Sequence, residues 1–197
     1  MLLGLVGKKQ SGKDYALKML REHLKGKIEV VRIAFADPLK EEISKITEMS
    51  LEQIEDNKSW MRPLLQWWGT DFRRRYNPDY WIEKYLYKVK QTEASNEKEV
   101  LIVTPDIRFI NEAQLVRKLG GKVWKINREY NKDNWSSNND CIRSDSMPVL
   151  DTTTHHPSET EMDLIASDVI IFNNGVAVFD REVKHAFDKY LTPKLKK

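Results

Sequence analysis

The apolar run Leu2-Leu3-Gly4-Leu5-Val6 leads directly into Gly7-Lys8-Lys9-Gln10-Ser11-Gly12-Lys13-Asp14, and a helix-like stretch from Tyr15 to Leu24 follows. A strand, a glycine-bounded loop and a helix in that order are what a phosphate-binding loop requires. Gly7 and Gly12 let the backbone fold tightly, so that the amides of Lys8, Lys9, Ser11 and Gly12 and the helix N-terminus point at an anion. Lys13 then reaches the outer phosphates of a nucleoside triphosphate. The usual last residue is Ser or Thr, whose hydroxyl binds Mg²⁺; here it is Asp14, whose carboxylate offers a hard cation oxygen instead. The plainer alternative is a glycine turn with two solvated lysines.

A chain of 197 residues with 40% hydrophobic content fits a single domain carrying an insertion. Its formal net charge of +3 is too mild for a dedicated DNA-binding protein, so stable nucleic-acid binding is not expected. The densest basic run is Arg73-Arg74-Arg75, which reads as a solvated helix face or a phosphate grip. One cysteine, Cys141, leaves no internal disulfide, and no apolar run approaches membrane-spanning length. A soluble cytoplasmic protein is expected, in a host's cytoplasm if the chain is viral, with a homodimer an open option.

Five β-like runs, Leu2–Val6, Val30–Phe35, Val100–Thr104, Lys122–Ile126 and Asp168–Phe172, are nearly continuous in Val, Ile and Leu. Strands covered on both faces look like this. Helical stretches separate them at Lys13–Leu24, Pro38–Thr47, Phe109–Leu119 and Ala177–Leu191. The alternation predicts an α/β fold around a parallel sheet of about five strands, with ligands at the carboxyl ends of the strands. The aromatic and basic segment 50–90 interrupts the pattern as a helical insertion, read as helices near 60–76 and 78–90. Gln91–Glu99 reads as a polar surface loop. Glu129–Pro157, heavy in Asn, Asp, Ser and Thr, reads as a flap, and Ser158-Glu159-Thr160-Glu161 as a capping box.

At roughly 100° per residue, Arg62, Gln66, Gly69 and Arg73 share a narrow arc of the first inserted helix, with Thr70 at its edge. Met61, Leu64, Leu65, Trp68, Phe72 and Tyr76 form the adjoining apolar arc. Guanidinium groups, an amide and a hydroxyl suit a phosphorylated acceptor, or simply a solvated helix face. After the third strand, Asp106 is placed to hold Mg²⁺ or its water shell, Arg108 to neutralise charge on a transferred phosphoryl group, and Glu112 to anchor an arginine. Helix capping by Asp106 and an Arg108–Glu112 pair form the alternative. Asp37 either orients an acceptor or caps the helix begun by Pro38, and Arg128 is within reach of phosphates from the flap side. His155 and His156 lack companions at metal-ligand spacing and suit a structural or flap role. Trp81 is the aromatic preferred for a ligand contact, while Asn173-Asn174-Gly175 serves as a turn or touches a donor base.

These pieces together resemble the deoxynucleoside monophosphate kinases of tailed bacteriophages. The resemblance rests on Ser11-Gly12-Lys13-Asp14, on Arg62, Gln66 and Gly69-Thr70, and on Asp106-x-Arg108-Phe109 with Asn111-Glu112. Gly120-Gly121 and His156-Pro157-Ser158-Glu159 complete it. The first motif alone is shared with animal-type phosphomevalonate kinases. Tyr15 stands where these enzymes often carry Thr. The resemblance implies a P-loop kinase fold and ATP-dependent phosphorylation of deoxynucleoside monophosphates. Ser11, Lys13 and Asp14 would then belong to the donor site. Arg62, Gln66, Gly69, Thr70, Trp81, Asp106, Arg108 and Glu112 would belong to acceptor binding or transfer. On this reading Lys13, Mg²⁺ and Arg108 share developing charge, Asp14 and Asp106 hold the metal, Arg62 and Arg73 grip the acceptor, and Gln66 reads its base. Two rivals stay open: another small-molecule kinase of the phosphomevalonate kind, and a nucleotide-driven module acting on nucleic acid.

Overall fold

The computed structural model describes residues 1–96, 98–128 and 156–192. Within them, β1 (Leu2–Val6), β2 (Glu29–Arg32), β3 (Val100–Ile107), β4 (Lys122–Asn127) and β5 (Val169–Phe172) form one all-parallel sheet in the order β2-β3-β1-β4-β5. Alternate strand residues feed two cores. Leu3, Leu5, Leu101, Val103, Trp124, Ile126 and Ile171 pack against α1 (Lys13–Leu24) and α8 (Val176–Tyr190). Leu2, Val6, Val100, Ile102 and Val123 pack against α5 (Tyr80–Ser95) and α6 (Ile110–Lys118). The central strands β1 and β3, covered on both faces, had to read as continuous apolar runs, while the edge strands β2 and β5 stay partly exposed. The chain fills one side of β1 and then the other, which opens a crevice at the carboxyl end of β1.

Between β2 and β3 lie α2 (Ala36–Thr47), α3 (Leu51–Asp56), α4 (Lys58–Gln66) and a π-helical segment, Trp67–Arg74, joined to α4. They share a small core of Ile43, Ile54 and Met61, extended by Leu39, Leu64, Leu65 and Trp68. The π turn brings residues five apart onto one face. Trp68 and Arg73 are such a pair, and both bond the Glu42 carboxylate of α2: Trp68 Nε1 at 2.9 Å and Arg73 Nε at 3.1 Å. Trp67 and Phe72, also five apart, stack with centroids 5.6 Å apart. The shared Glu42 carboxylate thus favours the wide turn.

The structure shifts several expected boundaries. α3 was not anticipated, although its start is marked by a reciprocal cap between Ser50 and Gln53. β2 stops at Arg32 because Asp37 takes Ala34 N at 2.9 Å and turns the chain into α2. α5 runs on through Ser95, into the stretch expected to be loop; Asn96 Nδ2 closes its end on Thr92 O at 2.7 Å. α7 (Pro157–Thr160) starts before the expected capping box, with His156 as its cap accepting from Ser158 N. A 3-10 turn, Glu161–Leu164, follows it. The flap expected over 129–157, with His155, lies outside the described residues apart from its last two positions. Among the described residues no helix is long and apolar enough to cross a membrane.

Candidate phosphate and acceptor site

The loop after β1 takes the expected form. Ser11 is buried and its amide donates to Lys8 O at 3.2 Å. Gly12 caps α1 at φ 108°, and a Cβ there would lie 2.5 Å from Asn173 Nδ2, so glycine is needed twice over. Gln10 is left-handed at φ 63°. Lys13 folds over the loop, donating to Gly7 O at 2.6 Å and Lys8 O at 2.8 Å. Arg128, just past β4, donates to Gln10 O at 3.4 Å. A cavity of about 400 Å³ beside the loop is lined by Gly7, Lys8, Lys9, Ser11, Lys125 and Arg128 among others. Asn173 lies in the turn between β5 and α8, as one of its two readings had it, and also supports the loop by donating to Ser11 O at 2.9 Å.

β3 ends beside this loop, with Val6 level with Ile107. The register slips between Gly4 and Val6, opposite Pro105, which has no amide to give the ladder. There Asp106 accepts from Phe35 N at 3.0 Å and Ala36 N at 2.9 Å. Burial raises its carboxyl above the ordinary value, against the pull of those two amides. Arg108 donates to Ser158 O at 3.4 Å. Glu112 is buried and accepts from Arg108 N at 2.8 Å and Phe109 N at 3.1 Å, capping α6. Burial pushes its carboxyl up to about 7, against the charge of Arg74, which pairs with it.

The inserted helices place the expected acceptor residues unevenly. Arg62, Gln66 and Thr70 are half-buried. Gln66 Nε2 is buried with no hydrogen-bond partner among the described residues. Arg73 does not share their arc, which is a correction to the α-helical projection. The π turn carries it onto α2, where Nη2 meets Glu42 at 3.0 Å and the guanidinium lies 4.7 Å from the Trp68 and Tyr80 ring centres. Trp81 is another correction. It is buried, and its indole donates to Gly69 O at 2.8 Å, so it joins α5 to the π segment. Gly69 is itself buried against Leu39. Asp37 bonds Arg32 at 3.0 Å and Ala34 N at 2.9 Å, which makes it the cap of the β2–α2 turn rather than an open acceptor contact.

Arg74 takes neither role read for the basic run, solvated face or phosphate grip. Its neighbours in the basic run go elsewhere, Arg73 to Glu42 and Arg75 to solvent, while Arg74 turns inward to Glu112, 38 residues away. His156 takes the structural role expected of it: Nδ1 lies 2.8 Å from Ser158 Oγ and Nε2 3.8 Å from Asp71 of the π segment.

Mg²⁺ asks little of a protein in such a site, one or two carboxylates with the remaining oxygens from phosphate and water. Asp14, exposed in the first turn of α1 beside Lys13, fits that demand. Both Asp106 oxygens already take an amide, so Asp106 fits as a partner for a water of the ion's shell.

A family model described as phosphomevalonate kinase matches residues 5–122, from the loop through the inserted helices to the start of β4. A protein of Acanthamoeba polyphaga mimivirus named "Putative deoxynucleotide monophosphate kinase" is 30% identical over 195 residues, covering 88% of this chain and 89% of its own. The crystal structure of TT1252 from Thermus thermophilus superposes with a TM-score of 0.53 at 14% identity over 97% of each chain, a likeness of fold. Shikimate kinase from Aquifex aeolicus matches the whole of both chains at 16% identity with a TM-score of 0.46, too loosely to bear on the argument.

Proposed function

We propose that this chain, which belongs to the phosphomevalonate kinase family and has the P-loop kinase fold, moves the γ-phosphoryl group of ATP onto the 5′-phosphate of a deoxynucleoside monophosphate. That it is a kinase of the nucleotide or small-molecule kind follows from the family. The acceptor is our inference. The observation that carries it is Gln66 Nε2, a buried amide donor with no partner among the described residues, one helical turn after Arg62. A buried donor left unmet costs about 1–3 kcal/mol. A lone pair on the edge of a nucleobase would satisfy it, and Arg62 suits the acceptor's phosphate. The name of the mimivirus relative supports the same acceptor.

In this reading an acceptor phosphate oxygen attacks the γ-phosphorus of ATP. The bond to the β–γ bridging oxygen breaks, ADP leaves, and a nucleoside diphosphate forms. The attacking oxygen is already anionic, so no strong base is required, and catalysis consists of positioning and charge neutralisation. Lys13 exchanges the Gly7 and Lys8 carbonyls for phosphate oxygens. Arg108, on the strand end beside the loop, meets the charge on the transferred group. Mg²⁺, held by Asp14 with Asp106 on its water shell, would supply further neutralisation of the phosphate oxygens. Nucleotides are the small molecules we expect the chain to bind.

The family match favours one other acceptor, phosphomevalonate, because residues 5–122 include both the loop and the inserted helices. The test is ADP release from ATP and Mg²⁺ with each common deoxynucleoside monophosphate, its ribose counterpart and phosphomevalonate added singly. Turnover requiring a deoxynucleotide is expected. Turnover with phosphomevalonate alone would replace the acceptor and keep the kinase.

A further inference from the structure

We propose that Arg74 is a positioning residue for phosphoryl transfer, acting through Glu112 to fix the strand end that carries Asp106 and Arg108 against the helix that carries Arg62 and Gln66. The inference rests on the kinase reading above. Arg74 belongs to the π segment directly continuing from Gln66, and Glu112 belongs to α6. The two side chains pair through Nη2 and Oε1 and are almost wholly buried, 10% and 3% exposed. The other Glu112 oxygen accepts the amides of Arg108 and Phe109. One carboxylate therefore links a guanidinium on the insertion to the backbone of the residue placed to neutralise the transferred group.

The rest of Arg74 is equally engaged. Its guanidinium carbon lies 3.9 Å from the Phe109 ring centre, and Nη1 donates to Pro78 O at 3.3 Å and Asn111 Oδ1 at 3.4 Å. Asn111 returns to the insertion, donating to Pro78 O at 3.1 Å and Asp79 Oδ1 at 3.0 Å. A guanidinium 10% exposed, bonded at both Nη atoms and stacked on Phe109, is engaged by the protein itself, which is why the role is positioning. Lysine reproduces neither the fork nor the stacking on Phe109. Arg74→Lys therefore keeps the charge and loses the geometry. A misplacement of about 1 Å can cost about a hundredfold in rate.

The test compares wild type, Arg74→Lys, Arg74→Ala and Glu112→Gln by steady-state kinetics, ATP affinity and amide hydrogen exchange at Arg108 and Phe109. We expect folded Arg74→Lys and Glu112→Gln proteins with ATP affinity within about twofold and kcat lower by about a hundredfold. Exchange at Arg108 and Phe109 should quicken about tenfold while α1 keeps its protection. If Arg74→Ala fails to fold, Arg74→Lys decides the matter. Unchanged kcat in folded Arg74→Lys, or slow exchange at both amides, overturns the inference and leaves the kinase reading standing. A fall in ATP affinity parallel to kcat overturns it too, because it marks a general structural loss. A wild type that turns over no acceptor overturns the kinase reading and the transfer role together.

Discussion

The loop after β1 and the helix that ends in the π segment, the proposed donor and acceptor halves of the site, are built on opposite principles. The loop is local. Gly7 to Lys13 are contiguous, and much of their bonding stays within the loop, with Asn173, Arg128 and Asp163 reaching it from outside. The inserted helix is held at a distance: Glu42 sets the phase of Trp68 and Arg73, and Glu112 captures Arg74. A locally built site tolerates changes elsewhere in the chain. A site built on helix phase depends on a few remote carboxylates. Removing groups from each region should produce different kinds of damage.

The largest effect is expected in the loop. Lys13→Ala should lower acceptor-dependent transfer by roughly a thousandfold, the scale of losing one charge-stabilising donor. Thermal unfolding should stay near that of wild type, because the Lys13 ammonium bonds the loop's own Gly7 and Lys8 carbonyls and Ser11. Activity retained in Lys13→Ala would break the donor assignment. The inserted helix should show the reverse, a loss of fold before a loss of chemistry. Glu42→Ala strips one carboxylate from Tyr80, Trp68, Arg73 and Lys84. It should cost about 2–3 kcal/mol in urea unfolding, less than a fully buried pair because Arg73 and Lys84 reach solvent.

The same carboxylate gives that loss a pH signature. Burial alone would raise the Glu42 pKa, but the bonds from Tyr80, Trp68 and Lys84 and the charge of Arg73 outweigh it and leave the group below its ordinary value of 4.5. A depressed folded-state pKa means a contribution fully present above the unfolded value and lost as pH falls through the folded one. The stability gap between wild type and Glu42→Ala should therefore be constant from pH 6 to about 5 and shrink toward pH 3. Glu55 and Asp168 are depressed as well and set the background common to both proteins. A gap that stays constant to pH 3 would show that Glu42 does not hold the π turn by its charge.

The contrast between the regions also explains what could be read from the residues. β1 and α1 appear with the expected bounds, and the five parallel strands follow from runs apolar on both faces. These signals are contiguous or strictly periodic. The acceptor helix is neither: a fixed period of 3.6 keeps Trp68 on the core side but mislays Arg73, where the turn widens. Of three successive arginines it selected Arg73, while Arg74 is the one that reaches Glu112, and no local pattern tells them apart. Asp37 was evenly divided between two roles because the partner that decides it, Arg32, bonds it only once the chain has turned. One omission was avoidable, since the Ser50–Gln53 cap announced α3.

A smaller effect distinguishes a reading residue from a packing residue. Gln66→Leu removes the buried donor that lacks a partner among the described residues. We expect the acceptor KM to rise about tenfold, the worth of one hydrogen bond, while the ATP KM stays put. The unliganded protein should be as stable as wild type or slightly more so, because an unmet buried donor is replaced by an apolar group. An unchanged acceptor KM would remove Gln66 from the site.

Trp81→Phe should do least, and its readout is opposite to that of Gln66→Leu. Phenylalanine keeps an aromatic ring at a buried position and loses the indole donor to Gly69 O and part of the ring's volume. The cost should be about 1–2 kcal/mol in urea unfolding, one neutral hydrogen bond and a small void. The acceptor and ATP KM values should both stay within about twofold, since Trp81 is 3% exposed and faces its own helices. If the acceptor KM rose instead and stability did not fall, the ring would be a ligand contact, as its place in the sequence first indicated. The helices would then have to part when the acceptor binds, and the inserted helix would be a moving element in place of a clamped one.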